Sequence, residues 1–170
     1  MLTYRRFNPS DPADLTECQW VFRMAPSFVY PTGGRPATDE EVAEMLGRVP
    51  GQLSADEMYA YSISNGTDLI GCYVLVRGYP DVQTAYLALL LIIDSAQGQS
   101  LGRAVLRRIE EEARGWRCAA ISAAVDSMNE RAFRFWLREG FMEEFRKAVP
   151  GFMGEAIGIS KQVRTNPGKP

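Results

Sequence analysis

One continuous segment, residues 85–106, constrains the fold more than any other part of the sequence. An apolar run, Ala85–Ile93, is followed by a short polar loop and then by a helical pattern that begins at Leu101. The run is far shorter than the roughly 20 residues that a membrane-spanning helix needs. It is apolar on both faces, which is typical of a central, buried strand. The segment therefore predicts a strand, a tight loop and the N-terminus of a helix.

The loop between this strand and this helix is a candidate anion site. The first N–H groups of a helix lack intrahelical partners and carry a partial positive charge, so an anion is stabilised there. Gly98 and Gly102 permit close approach of a ligand, and Ser100 can cap the helix or donate its hydroxyl group. The alternative is a plain turn whose glycines serve packing. The loop contains neither GxxxxGK[ST] nor an early GxGxxG, which argues against both common nucleotide-binding loops.

The rest of the chain alternates between strand and helix patterns in the order β-α-α-β-β-β-α-β-α-β-β. Thr38 and Glu41 form a capping box, and Asn65-Gly66 is a strong signal for a two-residue hairpin. We predict an α/β fold in which a mixed, mostly antiparallel sheet of six to seven strands is flanked by about four helices. The expected organisation is a single domain over residues 1–163 and a flexible tail over residues 164–170.

The composition excludes several classes of function. The chain has 170 residues, a net charge of −2, three widely spaced cysteines and no histidine. A nucleophile activated by histidine and a histidine-bound metal are therefore excluded, and we expect no metal cofactor. The lack of a basic surface argues against nucleic acid as a partner. With no apolar leader, no membrane-length segment and no disulfide pattern, the expected location is cytoplasmic, away from any membrane.

Two motifs, separated by about 30 residues, resemble those of the GNAT family of acetyltransferases. The first is similar to the family's (R/Q)xxGxG/A loop and consists of Gln97, Gly98, Gln99, Ser100, Leu101 and Gly102. The second is similar to the family's asparagine-led helix with its following GF pair and consists of Asn129, Ala132, Phe135, Trp136, Gly140 and Phe141. The resemblance covers nearly the whole chain and is sharpest between Leu90 and Phe141.

The resemblance implies acetyl-CoA as the cofactor, held where the sheet splits between its fourth and fifth strands. Pantetheine would pair with the backbone of the fourth strand, and the pyrophosphate would rest on the N–H groups of the loop. Asn129 would bond the pantetheine arm or order the exit of the fifth strand. The expected cofactor-binding residues are Leu90, Leu91, Ile92, Gln97, Gly98, Gln99, Ser100, Leu101, Gly102, Arg103, Asn129, Phe135 and Trp136.

The sequence departs from the family pattern at four positions. Ser100 replaces a common glycine, and because the donors of the loop are backbone N–H groups, we expect serine to be tolerated if its φ is negative. Asp94 stands where proline is frequent, which we expect to matter little. Trp136 replaces the tyrosine that many members use as an acid, and indole is no practical acid. Trp136 instead packs in the core or shapes the thioester end of the site. Ala124 occupies a position where some members place a glutamate base.

Other residues are therefore candidates for the proton chemistry. Tyr86, early on the fourth strand, is expected to act through water or to line the acceptor site, and the alternative is an ordinary strand tyrosine. Asp126 and Ser127 follow the fifth strand, where they either reach the cleft or cap the next helix. The aromatic residues expected to form the acceptor pocket are Trp20, Phe28 and Tyr30.

The expected function is acetyl-CoA-dependent N-acetyl transfer. The acceptor would be a primary amine of a small molecule or peptide, attacking directly in a ternary complex without a covalent enzyme intermediate. Two alternatives stay open: a CoA-binding regulatory module with weakened catalysis, and a purely structural αβ domain. A homodimer paired through the final strands is a further possibility that the resemblance implies.

Overall fold

A computed structural model of the protein describes residues 1–28 and 35–163. Its centre is one seven-stranded sheet with the strand order β1-β2-β3-β4-β5-β7-β6. Every neighbouring pair is antiparallel except β4 and β5, which are parallel. The bounds of the strands are β1 Leu2–Phe7, β2 Met58–Asn65, β3 Asp68–Arg77, β4 Thr84–Ile92, β5 Ala120–Asp126, β6 Met142–Ala148 and β7 Glu155–Gln162.

Four α-helices of nine or more residues lie among the described residues, and three of them begin at a side-chain cap. The helices are α1 Pro12–Arg23, α2 Asp39–Gly47, α3 Leu101–Gly115 and α4 Glu130–Arg138. Asp11 caps α1, the predicted box of Thr38 and Glu41 caps α2, and Asn129 caps α4. A side-chain oxygen in each cap accepts a backbone N–H that would otherwise have no partner. Helix α3 has no such cap.

The helices cover opposite faces of the sheet. Cys18 of α1 lies 3.5 Å, sulfur to sulfur, from Cys72 of β3. The next residue, Tyr73, points to the other face, where its hydroxyl donates to Glu112 of α3. Successive side chains of a strand alternate between faces, so α1 and α3 lie on different sides of β3. We refer below to the α1 face and the α3 face of the sheet.

The predicted fold class is confirmed, including the parallel β4–α3–β5 crossover at the centre of the sheet. The hairpin turn lies one residue later than predicted. Asn65 pairs with Asp68, so Gly66 and Thr67 form the loop, and Gly66 has a φ of 64°. Glycine adopts that left-handed conformation without the steric cost of a side chain. The predicted tail, residues 164–170, lies outside the described residues.

No helix in the described ranges is long and apolar enough to cross a membrane.

Candidate functional site

The sheet opens between its two central parallel strands. Strand β4 pairs with β5 only from Thr84 to Leu87, and Leu87 lies opposite Ala123. Beyond this point β4 continues to Ile92 along β3, while β5 continues to Asp126 along β7. The two strands therefore separate, and each presents an unpaired edge. We call this opening the fork; unpaired backbone groups at such an edge need partners from water or from a ligand.

A β-bulge in β4 lies at the start of the fork. The register with β3 passes from Leu75↔Leu87 to Val74↔Leu89, which leaves Ala88 without a partner residue. Ala88 is exposed although it lies in the middle of a central strand, and Ala124 on β5 is exposed as well. Bulges redirect a strand and are frequent beside active sites. Ala88 could not be predicted from the sequence, because alanine within an apolar run carries no signal for a bulge.

The strand beyond the bulge directs alternate backbone groups into the fork. The N–H of Ile93 donates to the carbonyl of Ile70, on the β3 side. Because backbone groups alternate in direction along a strand, those of Leu91 also face β3, whereas those of Leu90 and Ile92 face the fork. The carbonyl of Ile92 already accepts the side-chain amide of Gln97 at 2.8 Å. Of the three residues expected to pair with pantetheine, Leu90 is thus the best placed, and Leu91 faces the wrong neighbour.

The N-terminus of α3 is open to an anion beside the fork. Its first intrahelical bond runs from the N–H of Ala104 to the carbonyl of Ser100. Ser100 makes no side-chain capping bond, and the first turn contains no acidic residue. Within the described part of the chain, six successive N–H groups have no hydrogen-bond acceptor, over residues 98–103. Such a row of free donors at a positive helix end is well suited to a phosphate or pyrophosphate group.

Two left-handed residues build this row of donors. Gly98 has a φ of 79° and Ser100 has a φ of 61°. The condition under which serine was expected to be tolerated, a negative φ, is therefore not met. Its conformation costs a residue with a Cβ atom about 1–2 kcal/mol, which explains why glycine suits the position. Strained residues of this kind cluster at ligand-binding sites. We infer that the strain is retained because the left-handed turn leaves the N–H groups of the loop free to bind an anion.

The base of the loop is tied to the end of α1 by a hydrogen-bonded cluster. Asp94 accepts from the hydroxyl of Ser27 at 2.6 Å and from its backbone N–H at 3.2 Å. The Asp94 N–H donates to the carbonyl of Met24 at 2.9 Å. The amide of Gln97 donates to Ser27 and to Asp94, each at 3.2 Å. Asp94 is thus an anchor of the loop, although it was expected to matter little, and the side chain of Gln97 is turned away from the free N–H groups.

Helix α4 packs across the N-terminus of α3. A Cβ atom on Gly102 would lie 3.4 Å from the ring of Phe135, so glycine allows this close approach. Arg103 bonds both carboxylate oxygens of Glu139 through its Nε at 3.0 and 3.1 Å. Phe135 is half-buried beside the loop and can contact a ligand there.

Two other predicted cofactor residues have mainly structural contacts. Trp136 is only 8% exposed and packs between Phe135 and Phe141, with ring centroids 5.0 Å apart in each pair. Of the two predicted roles, this favours core packing. Asn129 caps α4 by accepting the N–H of Ala132 at 3.1 Å, and its own N–H donates to the carbonyl of Asp126. This arrangement favours its predicted role in ordering the exit of β5.

Tyr86 lies on β4 one pair before the fork, on the α1 face. It pairs with Ser122 of β5, and its ring packs edge-on against Tyr79 at 5.3 Å. Burial raises the pKa of the Tyr86 hydroxyl above its ordinary value. The side chain therefore stays protonated at neutral pH and can donate a proton or a hydrogen bond. It is not suited to act as a base.

The other two predicted catalytic residues hold a loop. The carboxylate of Asp126 is buried and accepts the N–H groups of Met128, Met153 and Gly154 at 2.8–3.1 Å. The hydroxyl of Ser127 accepts the N–H of Glu155 at 2.9 Å. These bonds fasten the segment between β6 and β7 to the end of β5. The geometry favours this structural role over proton transfer.

The predicted acceptor pocket is described only in part. Trp20 lies on α1 and is 36% exposed. Phe28 packs edge-on against Phe22 at 6.2 Å and joins the side chains packed on the core. Tyr30 lies outside the described residues. The two described aromatic residues are both on the α1 side of the sheet.

In the described ranges, no group of three or more cysteine, aspartate or glutamate side chains could hold a metal ion.

Comparison with known proteins identifies the family of the chain. The "Acetyltransferase (GNAT) family" matches residues 14–141, which is more than half of the chain. The chain therefore belongs to the GNAT family of acetyltransferases. No significant match is found among curated protein sequences.

Solved structures share this fold over nearly their whole length. An acetyltransferase from Thermus thermophilus has a TM-score of 0.77 at 24% identity, with 95% of this chain and 97% of that chain covered. A spermidine N-acetyltransferase from Vibrio cholerae, in complex with CoA and spermine, has a TM-score of 0.68 at 16% identity, with 95% of both chains covered. The ribosomal-protein-S18-alanine N-acetyltransferase from Escherichia coli has a TM-score of 0.69 at 15% identity, covering 96% and 94%. At these identities the likeness shows the fold alone.

The strain at Ser100 leads to a testable difference between two loop positions. Ser100→Gly should raise the free energy of unfolding by about 0.5–1 kcal/mol, because relief of strain exceeds the added flexibility of the unfolded chain. Gly98→Ala, at a φ of 79° with open space around it, should lower that free energy by about 1 kcal/mol. Urea denaturation measures both changes. A Ser100→Gly protein less stable than the wild type would contradict the assigned conformation.

Proposed function

We propose that this protein is an acetyl-CoA-dependent N-acetyltransferase that acts on a primary amine of a small molecule or peptide. The observation that carries the proposal is the fork with its bulge at Ala88, placed beside six free N–H groups at the start of α3. A long ligand with an anionic middle and a slender arm fits these two features together. Membership in an acetyltransferase family supports the same choice.

The residues present fit the pyrophosphate and the pantetheine arm of coenzyme A. The free N–H groups of residues 98–103 would hold the pyrophosphate, with Phe135 beside them. The backbone of Leu90 would pair with an amide of the pantetheine arm in the fork. Ala88 and Ala124 leave room at its narrow end. When bound, acetyl-CoA supplies an acetyl group activated as a thioester.

Acetyl transfer needs a neutral amine, a polarised carbonyl and a proton for the leaving thiolate. Tyr86 lies next to the narrow end of the fork and keeps its proton at neutral pH because burial raises its pKa. We assign it the donor role, through its hydroxyl or an intervening water. The backbone of Ala88, which has no partner residue on β3, would polarise the carbonyl. No histidine and no covalent intermediate is needed for direct attack.

The proposal extends to the setting of the reaction. We place the enzyme in the cytoplasm, where acetyl-CoA is available, acting as a single domain over residues 1–163. Ser27, shortly after α1, is anchored to Asp94, and Trp20 and Phe28 on the α1 side of the sheet would help to enclose the amine.

A second candidate is a CoA-binding regulatory module with weakened catalysis. It is favoured by the engagement of Asp126 and Ser127 in loop hydrogen bonds and by the burial of Trp136. Both candidates require the same cofactor site. They differ in whether bound acetyl-CoA is consumed.

Titration with acetyl-CoA tests the shared cofactor site. The wild type should bind with a dissociation constant in the micromolar range, which corresponds to a binding free energy of about −8 kcal/mol. Gly102→Val should weaken binding by about tenfold or more, because the new side chain crowds Phe135 and the free N–H groups. Gly115→Val is the matched control, since open space surrounds this last residue of the same helix. Absence of wild-type binding at millimolar acetyl-CoA would contradict the proposal. Release of free thiol from acetyl-CoA, measured with a panel of amines, separates the enzyme from the regulatory module, because only the enzyme consumes bound acetyl-CoA.

Tyr86→Phe tests the proposed proton donor. Loss of the hydroxyl should lower kcat by about 100-fold, a usual size for removal of a general acid, while acetyl-CoA affinity stays the same. Tyr79→Phe is the control, since this neighbour contributes its ring to the contact. Because the pKa of Tyr86 is raised, its hydroxyl stays protonated at neutral pH. Ionisation of this hydroxyl should therefore lower the rate only above about pH 10. Equal kcat values for Tyr86→Phe and the wild type would remove Tyr86 from the mechanism.

A further inference from the structure

A row of polar side chains lies on the α1 face directly beside the fork. Lys161 on β7 bonds Glu110 of α3, and it pairs with Ile121 of β5, so both residues face α3. Their neighbours Ser160 and Ser122, which also pair, therefore face the other side. Ser122 in turn pairs with Tyr86 on β4. The row thus runs from the candidate proton donor across β5 to β7.

The row ends at an acidic residue in a second bulge. The register of β6 with β7 passes from Glu143↔Ile159 to Phe145↔Gly158, which leaves Glu144 as the extra residue. The hydroxyl of Ser160 donates to the carboxylate of Glu144. This contact places the carboxylate on the α1 face, on the same side as Tyr86.

Glu144 carries an uncompensated negative charge, unlike its neighbour. Glu143 forms an ion pair with Arg146, bonded at both carboxylate oxygens at 2.6 and 3.0 Å. Glu144 forms no ion pair with any residue that the structure describes, and it is exposed. A carboxylate held by a serine but left without a cation is available to a positively charged ligand.

One hydroxyl group in this polar row, that of Ser122, has no partner of its own among the described residues. Its hydroxyl oxygen is the one buried side-chain polar atom in the described ranges that lacks a hydrogen-bond partner. Buried polar groups are nearly always paired, so an orphan of this kind needs an explanation. Its position between Tyr86 and Ser160 places it at the edge of the fork.

An apolar strip lies beside this polar row, and the Nζ of Lys147 lies 5.1 Å from the centroid of its Phe145 ring. Ala124 of β5 pairs with Gly158 of β7, and Gly158 pairs with Phe145 of β6. The ring of Phe145 lies over Gly158, where a Cβ atom would overlap it. A hydrocarbon chain can lie along this strip without removing polar groups from water.

We propose that Glu144, oriented by Ser160, binds a second positive charge on the acceptor. The acceptor class is therefore a diamine, or another amine with a second cation, joined by an apolar chain. Glu144 lies two strands from β5, so the two nitrogens are roughly 10 Å apart at the usual strand spacing. This inference rests on the proposed function for the reacting end of the acceptor. Glu144 is a residue that determines acceptor specificity and takes no part in proton transfer.

Equilibrium binding of two amines to the full chain, with and without coenzyme A, tests the proposal. The probes are heptylamine and the diamine with the same seven-carbon chain and an amino group at each end. The wild type should bind the diamine about tenfold more tightly, which is a modest value for a charge-assisted contact. Glu144→Gln should remove this preference and leave heptylamine binding unchanged. In turnover, the loss should appear in KM for the diamine and not in kcat.

Glu143→Gln is the matched control, because it removes an equal charge from the adjacent position. This variant should keep the preference for the diamine. Equal binding of both amines by the wild type, or a preference that survives in Glu144→Gln, would overturn the proposal. Failure of acetyl-CoA to bind would instead count against the proposed function, since amine binding is measured independently of turnover.

Discussion

The separation of β4 from β5 after Leu87 is the constraint on which the rest of the site depends. A central strand normally has both backbone edges paired, yet β4 gives up its pairing with β5 for its second half. The bulge at Ala88 makes the divergence possible without breaking the pairing with β3. The sheet therefore supplies a slot in its own centre, and the helices position the polar groups around it.

The open N-terminus of α3 likewise lacks stabilising hydrogen bonds to the described part of the chain, and its free N–H groups are available to a ligand. Three helices begin at a side-chain cap, whereas α3 begins at an uncapped Ser100 in a left-handed conformation. The missing helix cap and the left-handed serine both go against local preferences, and such clusters are typical of functional sites. The hydrogen bonds of Asp94 with Ser27 and Gln97 hold the strained loop in place. They also connect the anion-binding end of the site to the segment that follows α1.

The sequence was sufficient to predict the order of elements, the mixed sheet and the loop before α3, because periodicity and capping residues are local signals. It could not reveal the bulges at Ala88 and Glu144, since both depend on pairing between strands distant in the chain. Asp126 and Ser127 were predicted as catalytic because they follow β5. Their side-chain oxygens instead accept backbone N–H groups of residues 153–155, some 27 positions later in the chain. Serine at position 100 was expected to be tolerated if its φ is negative, but the loop holds it in the left-handed region at a φ of 61°, which residue type alone does not reveal.

The most direct test of the central claim is an NMR titration of the backbone amides with coenzyme A. If the fork and the α3 N-terminus form the cofactor site, the largest chemical-shift changes should fall on the amides of residues 98–103 and of Leu90. The competing surface is the charged hollow on the α3 face, lined in part by Arg107, Arg138 and Lys161. Arg103 also lines this hollow, so changes confined to the hollow, with residues 98–102 and Leu90 unaffected, would contradict this account.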